Sequence, residues 1–298
     1  MWLGSLVGIF YSMPFFNYIL PDRPVLSIVW IFNVLFIIGI PLLSIALLIV
    51  RLAFKRRVHT YWKTFMGIVL GLNVISFIFI LTLVLRGFST GSTLEHRETL
   101  SANLEQPIQI SMQQDPYEHA IFHIGPDLKM TEDVLVSSML SLDFKKSPDS
   151  TCFIQKESFS RGSTIREADQ LAGGIDYEVE FNDNELQFPR NFLIEQGEKF
   201  RGQQIKLSLY VPLGTKIKID QSMDPILWHY LWNKRKYIWP ELPEDTYGHW
   251  DLWNKTLEMT EDGLKCIDCE LPQEKEDLSE TEQDSMQTET AEEKDTIQ

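Results

Sequence analysis

Two stretches of this sequence lack charged residues altogether. Residues 25–50 and 66–85 contain no Asp, Glu, Lys or Arg. The first run exceeds the roughly 20 apolar residues that a helix needs to cross about 30 Å of hydrocarbon, and the second is just long enough. A proline or single amides inside such helices are tolerated, because a neighbouring helix can satisfy the freed polar groups. We therefore predict transmembrane helices at 25–50 and 66–86.

The first twenty residues lack the basic start and the small-residue cleavage site of a signal peptide. They read "MWLGSLVGIFYSMPFFNYIL", and no Lys or Arg occurs before Arg23. The pattern is typical of the end of a helix that entered the membrane earlier. Residues 1–20 are thus predicted to be a partial hydrophobic segment, and whether they form a third span stays open.

The segment between the two uncharged runs, residues 51–65, lacks acidic residues. Its basic residues predict that this loop is cytoplasmic and that everything after position 86 lies outside; they are Arg51, Lys55, Arg56, Arg57 and Lys63. The alternative of a nucleic-acid patch is disfavoured, since so short a loop cannot form a binding domain. The net charge of −15 also opposes contact with phosphate backbones.

Beyond the second run the hydrophobic period changes to two, which is typical of half-buried strands. The small polar segment 87–99 is predicted to be a linker, and 100–223 a β-rich domain, either a sandwich or an irregular β-solenoid similar to a ToastRack. The predicted strands are "IQISM", "EHAIFHI", "VLVSSMLSLDF", "TCFIQKESF", "GGIDYEVEF", "ELQFPRNFLI" and both halves of "QQIKLSLYVPLGTKIKID". Residues 160–174 predict one short helix with Ser163 as N-cap and a stop at the glycine pair 173–174.

The last part of the chain has two further sections. Residues 224–269 contain five tryptophans and predict a cap on the β domain, with a membrane-surface segment as the alternative; the tryptophans are Trp228, Trp232, Trp239, Trp250 and Trp253. Residues 270–298 are rich in Glu, Asp, Ser, Thr and Gln, and cannot bury enough apolar surface to offset the entropy of ordering. They predict a disordered acidic tail.

The sequence also lacks catalytic signatures. It has no phosphate-cradling glycine loop, no H-E-x-x-H, no G-x-S-x-G and no dinucleotide fingerprint. We therefore expect no enzymatic activity, no cofactor and no metal.

Cysteines are scarce, and two of the three form a C-x-x-C, Cys266 and Cys269. Outside the membrane this spacing favours a disulfide. A zinc site lacks its second ligand pair, and a thioredoxin-type centre lacks its βαβ setting. Closing so short a loop stabilises a fold by about 2 kcal/mol, so the clip would fix local geometry. Cys152 is predicted to be a small buried hydrophobe.

The order of these features resembles the C-terminal half of the larger phage-shock protein C (PspC) proteins of two-membrane bacteria. The resemblance is carried by the paired spans around "RLAFKRRVHTYW" and by "SFSRGSTIREADQLA", "YVPLGTKIKID" and "WDLWNKTLEMTEDGLKCIDC". It implies a transmembrane region similar to that of LiaI–LiaF envelope-stress proteins, followed by a ToastRack-type β domain. The basic amphipathic PspC segment that should precede these spans is missing from this sequence.

Together these observations predict a multi-pass protein of the bacterial inner membrane with its C-terminal β domain in the periplasm. We expect a non-enzymatic sensor or scaffold for signal transduction in an envelope stress response of the phage-shock type. Its partners would be the lipid bilayer and an envelope component or protein, and copies could associate through the spans. Asn33 and Asn73 could hydrogen-bond between the helices. The alternatives are a passive, adhesin-like structural module and a periplasmic thiol oxidoreductase using the C-x-x-C.

Overall fold

Two long apolar helices precede the β domain in the computed structural model, which describes residues 15–20, 24–54, 60–119, 122–131, 134–227, 238 and 253–269. Helix α1 covers Pro24–Phe54 and helix α2 covers Thr60–Arg86. Each contains a segment long and apolar enough to cross a membrane, Ile28–Ala46 and Thr64–Arg86. Most side chains of both segments are not covered by protein. This arrangement suggests membrane anchoring, because apolar helices left so exposed need an apolar solvent.

The predicted basic loop, residues 51–65, is shorter than the sequence indicated. Residues 51–54 continue α1 and residues 60–65 already belong to α2. Arg51 and Lys63 therefore lie on helices, whereas Lys55, Arg56 and Arg57 lie outside the described residues.

Fourteen strands, one nine-residue helix and a helical turn at residues 224–227 make up the described part of the β domain. The helix, α3, is Ile165–Gly173, and a 3₁₀ turn covers Gln221–Met223. The strands, β1 to β14 in chain order, are Thr90–Leu100, Ile108–Met112, Phe122–His123, Leu128–Met130, Leu135–Ser137, Leu140–Lys146, Cys152–Gly162, Glu180–Asn182, Glu185–Phe188, Phe192–Ile194, Gln204–Val211, Lys216–Ile219, Thr256–Thr260 and Gly263–Cys266.

The described strands form three sheets. The first has the order β1-β7-β11-β6, the second β10-β5-β4-β3 and the third β14-β13-β12-β2-β9-β8. Most neighbours are antiparallel, but β11–β6, β12–β2 and β2–β9 are parallel pairs that join distant parts of the chain. Inward side chains of all three sheets share one core, including the fully buried Ile108, Leu135, Leu207 and Ile217. Each such side chain stabilises the fold by about 1.5–3 kcal/mol. The predicted all-β domain with one helix is thus present.

The prediction of a linker over 87–99 is wrong for most of its length. Residues 90–100 form β1, which pairs with β7 along its whole length, from Thr90 opposite Gly162 to Leu100 opposite Cys152. The small polar residues of this strand are exposed because it lies at the edge of its sheet. An edge strand with little apolar alternation looks like a linker in sequence, since its pairing depends on a partner sixty residues away.

Several predicted strands are divided in the structure. "VLVSSMLSLDF" gives β5 and β6, "ELQFPRNFLI" gives β9 and β10, and the two halves of the last predicted pair are β11 and β12. In each case the two strands belong to different sheets, so the residues between them, such as Pro189 and Pro212, are crossings between sheets. Of "EHAIFHI", the described strand is Phe122–His123. Alternation reports burial and does not specify the partner strand.

The segment "GGIDYEVEF" shows this most directly. Ile175 and Tyr177 are buried while Asp176 and Glu178 are exposed, as the alternation predicts. However, the ladder begins only at Glu180, within β8. Lys156 Nζ donates to the carbonyl of Tyr177 at 2.8 Å, so a side chain occupies an acceptor that a neighbouring strand would otherwise use.

Helix α3 forms within the predicted span, with a different cap. Thr164 is the N-cap, and its hydroxyl accepts from the Glu167 amide at 3.2 Å. Glu167 in turn accepts from the backbone amide of Ser163 at 2.9 Å. This reciprocal arrangement resembles a capping box and satisfies amides that would otherwise lack partners. Ser163, the predicted N-cap, therefore sits one residue outside the helix.

Part of the predicted Trp-rich cap at 224–269 is β structure. Strands β13 and β14 form a hairpin, and β13 pairs with β12, so this segment extends the third sheet. Trp253 packs against the core. The other four tryptophans of the predicted cap lie outside the described residues. The same is true of residues 1–14 in the predicted hydrophobic segment and of the predicted tail at 270–298.

Candidate functional site

A polar contact joins the two apolar helices. Asn73 Nδ2 donates to Asn33 Oδ1 at 2.8 Å, and Asn33 Nδ2 donates to Ser76 Oγ at 3.0 Å. Both asparagines are buried. The predicted hydrogen bond between the helices is therefore confirmed. In a bilayer such a bond would favour one rotational setting of the pair, because leaving the amides unpaired in hydrocarbon is unfavourable.

An aromatic stack continues from this contact towards residues 15–20. The rings of Trp30 in α1 and Phe77 in α2 stack with centroids 5.4 Å apart, and Phe16 makes a tilted contact with Trp30, with centroids 5.5 Å apart. Such ring contacts stabilise a pair by about 0.5–1.5 kcal/mol beyond burial. Residues 15–20, which we call the N-terminal segment, are thereby attached to both helices.

The N-terminal segment is also attached to the β domain. The amide of Phe200 donates to the Tyr18 carbonyl at 2.9 Å, and Lys199 Nζ donates to the Asn17 carbonyl at 2.7 Å. Tyr18 is buried and belongs to the same hydrophobic core as the strands. Movement of the loop containing Lys199 and Phe200 would therefore displace this segment.

Arg201 lies at the centre of this contact region and is only 4% exposed. Its Nη1 donates to the carbonyls of Ile19 at 3.0 Å and of Phe200 at 2.8 Å. Its guanidinium lies 5.2 Å from the ring centre of Phe88, two residues past the end of α2. One buried cation thus contacts the N-terminal segment, the end of the second helix and its own loop.

Two neighbours leave Arg201 little freedom. A Cβ at Gly87 would lie 2.8 Å from Arg201 Nε and 3.1 Å from the Val84 carbonyl, so a side chain there would displace the guanidinium group. The Arg201 carbonyl accepts from the amide of Arg161 in β7 at 3.0 Å, and Arg161 Nη1 donates to the Phe88 carbonyl at 3.3 Å. We call the N-terminal segment, residues 87–88, Arg161 and residues 199–201 the junction.

Glu167 of helix α3 places a negative charge close enough to interact with Arg201. Burial acts to raise the pKa of Glu167, but hydrogen bonds from Ser163 and the positive charge of Arg201 outweigh it. The pKa of Glu167 therefore lies below its usual range. Glu167 consequently stays ionised around neutral pH and stabilises both the helix cap and the buried guanidinium.

The predicted C-x-x-C lies at the end of the β13–β14 hairpin. Cys266 ends β14 and Cys269 follows in a turn, and the structure joins their sulfur atoms with Cα atoms 5.8 Å apart, a spacing usual for a disulfide. The segment is stabilised by Asp268, which accepts from the Thr256 amide at 2.7 Å. Neither cysteine opens a helix among the described residues, so the setting of a low-pKa redox thiol is not found there.

Cys152, the third cysteine, is buried at the start of β7 as predicted. Burial raises the pKa of its thiol to about 11, so it is unreactive at neutral pH. No group of three or more His, Cys, Asp or Glu side chains suited to a metal ion occurs in the described parts of the chain.

The junction is not apparent from the amino-acid sequence. Arg201 sits in the polar stretch "EKFRGQQ", where a charged residue is normally solvated surface. The signals available were indirect: "NYIL" is too apolar for a loop, and the glycine at 87 directly follows a helix. Neither signal identifies a partner that lies more than a hundred residues away.

Comparison with known proteins adds a family similarity. A family model described as the ToastRack found in some PspC proteins matches residues 129–274. These residues run from β4 through β14, so the chain contains a stretch similar to a PspC-associated ToastRack domain. The similarity supports the ToastRack part of the sequence-based expectation and does not extend to the helices.

Two further comparisons give little. No curated protein matches the sequence significantly. A crystal structure named as an adhesin from Parabacteroides distasonis ATCC 8503 is 9% identical, with a TM-score of 0.20 over 41% of this chain and 32% of that one. A likeness at that score carries no argument about this chain.

Proposed function

We propose that this protein is a membrane-anchored, non-enzymatic sensor or scaffold of a bacterial envelope stress response. Its β domain would face the periplasm and bind an envelope component or protein partner. The two apolar helices would cross the inner membrane and carry the change to the cytoplasmic side. The support is the ToastRack similarity, the paired apolar helices and the basic residues between them.

The observation that carries the proposal is the junction. A domain merely tethered by a flexible linker could not transmit a conformational change, because its motion would be lost in the linker. Here α2 leads into β1 after only three residues, and the Arg201 guanidinium lies over the ring of Phe88 within that connection. Suppose that the Arg201 loop has two positions, each coupled to a different packing of the helices. A partner that binds the β domain more tightly in one position would shift the equilibrium between the two helix packings by its difference in binding free energy.

The experiment compares reporter induction in cells expressing the intact chain and variants. Deleting residues 90–269 while keeping both helices should abolish induction of a stress-responsive promoter by envelope damage. Arg201→Gln should reduce it strongly with a normal amount of protein in the membrane. Arg97→Gln is the matched control, because Arg97 is an exposed β1 arginine whose guanidinium contacts Asp149 and Phe153 of the β domain.

Because Arg201→Gln removes a buried charge, its effect could come from misfolding. Gly87→Ala tests the same junction from the membrane side, since the added methyl would displace the Arg201 side chain without altering the β domain sequence. Loss of induction in both variants, with the β-sheet circular dichroism retained, would support transmission through the junction. Normal induction in the 90–269 deletion would overturn the sensor proposal and favour a passive, adhesin-like structural module.

A further inference from the structure

Three exposed arginines surround the point where α2 leaves the predicted membrane, in a chain whose net charge is −15. Arg86 is the last residue of α2. Arg161 Nη1 reaches the carbonyl of Phe88, two residues later. Arg166 lies in the first turn of α3. The backbone of this helix, at the Ala168 amide, packs against Gly162, and Gly162 pairs with Thr90 at the start of β1. We call these three residues the basic rim.

The basic rim forms no ion pair within the described part of the chain; the pairs found there involve Arg97, Lys129 and Lys146. The nearby carboxylates of Glu167 and Asp169 keep their charge, but they accept hydrogen bonds from Ser163 and Ser92 and not from these arginines. Glu198 lies at the opposite end of α3, beside Gly174.

An exposed apolar side chain accompanies these charges. Ile165, the first residue of α3 and next to Arg166, is 64% exposed. A large aliphatic residue at that position gains nothing from water, whereas the interface of a bilayer accepts it. Arginines beside an apolar side chain at the exit of a membrane helix match the chemistry of a phospholipid headgroup layer, in which phosphates lie above acyl chains.

We propose that the basic rim and Ile165 bind anionic phospholipid headgroups of the outer leaflet of the membrane that anchors the chain. Phosphate oxygens accept from the guanidinium groups, and Ile165 enters the interface. The β domain is then held against the bilayer at one end. This proposal rests on the membrane anchoring in the proposed function and does not depend on signalling.

The test uses the full chain in nanodiscs of phosphatidylcholine alone or with about one third phosphatidylglycerol. A bimane label is attached at Ile165→Cys or, as control, at Ser150→Cys. Ser150 is exposed and lies beyond the far end of β7, roughly 35 Å along the strand from Thr90. Quenching of the bimane by a nitroxide-headgroup lipid reports contact with the membrane surface. Cys152 is buried and the other two cysteines are joined, so labelling is confined to the new thiol.

We expect anionic lipid to increase quenching at position 165 by about two-fold or more, and the increase to fall at high salt. Arg161→Gln with Arg166→Gln should remove the increase, since each arginine near an anionic surface strengthens binding roughly five-fold. Lys206→Gln with Lys265→Gln makes the same charge change on exposed strand positions and should leave it intact.

Equal quenching at position 165 with and without anionic lipid would overturn the headgroup proposal while leaving the anchoring intact. So would an increase that survives loss of both arginines, or quenching at position 150 as strong as at 165. Failure of the folded chain to enter nanodiscs would instead overturn the anchoring, and with it both proposals. Signalling is scored separately by the promoter assay.

Discussion

At the scale of single residues, buried polar side chains hold the loops of this domain in place. Asp115, in the loop between β2 and β3, accepts from the Tyr117 amide and from Asn191 Nδ2, both at 2.8 Å, and pairs with Lys129 in β4. Its side chain is 7% exposed. Burial acts to raise the pKa of Asp115. The hydrogen bond from Lys129 and the other partners outweigh this effect, so the pKa lies below the ordinary value of 3.8. A single carboxylate thus joins two loops to a strand.

The pH dependence of this site can be predicted with its sign. Because folding lowers the pKa of Asp115, its stabilisation is fully present above the unfolded value of 3.8 and is lost as pH falls through the folded pKa. Asp115→Asn should therefore cost about 2 kcal/mol at pH 7, and the difference from wild type should shrink as the pH falls below the unfolded value of 3.8. Thermal unfolding of the detergent-solubilised chain by circular dichroism measures this.

Asp149→Asn is the matched control for that measurement. Asp149 is exposed and lies 3.8 Å from Arg97, so its loss should change stability by less than about 0.5 kcal/mol. A difference between Asp115→Asn and wild type that is the same at pH 7 and pH 3 would contradict the assignment of the stabilisation to the ionised carboxylate.

A second residue, Asn184, shows what sequence reasoning can reach at this scale. Asp183 and Asn184 have φ values of 50° and 65°, typical of the two-residue turn that joins β8 and β9. A turn at "NDN" is readable from sequence. The side chain of Asn184 also donates, through Nδ2, to the carbonyls of Asn103 and Pro107 at 3.1 and 3.2 Å. These two contacts cannot be read from the sequence. Local backbone preferences are encoded locally, whereas side-chain partners depend on the fold.

At the scale of elements, the helix pair provides the sharpest test. Removing Asn33 leaves both Asn73 and Ser76 without that partner, whereas removing Asn73 leaves the Asn33–Ser76 bond intact. Asn33→Leu should therefore destabilise the helix pair more than Asn73→Leu, and the double variant should cost less than the sum. The coupling energy should be about 0.6–1.7 kcal/mol, measured by SDS-induced unfolding of the reconstituted chain.

Ser44→Ala is the control for this cycle, since Ser44 Oγ donates within its own helix to the Ile40 carbonyl at 2.8 Å. Its coupling to Asn73→Leu should be close to zero. Additive effects of Asn33→Leu and Asn73→Leu would show that the bond contributes nothing to the association of the helices.

Elements were predicted well where the pattern is local and poorly where it is not. The uncharged runs identified both helices, and period-two alternation identified β2, β7, β11 and β12 closely. Strand β1 was missed because an edge strand has one neighbour and few buried side chains to give it a pattern. The divisions between β5 and β6 and between β9 and β10 were missed because a chain can leave one sheet for another without losing its alternation.

At the scale of the whole molecule, one labelling experiment tests two predictions. These are the side of the membrane on which the β domain lies and the oxidation state of the C-x-x-C cysteines. In intact spheroplasts of a Cys152→Ala strain, a membrane-impermeant maleimide should label Cys266 and Cys269 only after reduction. This result is expected if, as we propose, the β domain lies outside the membrane with the two thiols joined in a disulfide. Mass spectrometry of the labelled chain gives the answer.

Labelling without prior reduction would show free external thiols and would return attention to redox or metal chemistry. Absence of labelling in intact cells, even after reduction and denaturation, with labelling once the membrane is opened would contradict the proposed orientation. Controls with a single cysteine at Ser150→Cys in a background lacking the other three test whether an exposed β-domain position is reached at all.

The sequence by itself determined the apolar helices, the β character of the later domain, the buried cysteine and the need of Asn33 and Asn73 for polar partners within the helices. Each follows from composition and short-range periodicity. These patterns reflect whether a side chain faces lipid, the protein core or water. Only the tertiary structure decided the three-sheet topology, the recruitment of residues 90–100 into a strand and the burial of Arg201 at the junction. These depend on contacts between residues far apart in the chain, and a charged or polar side chain shows in sequence only that it needs a partner.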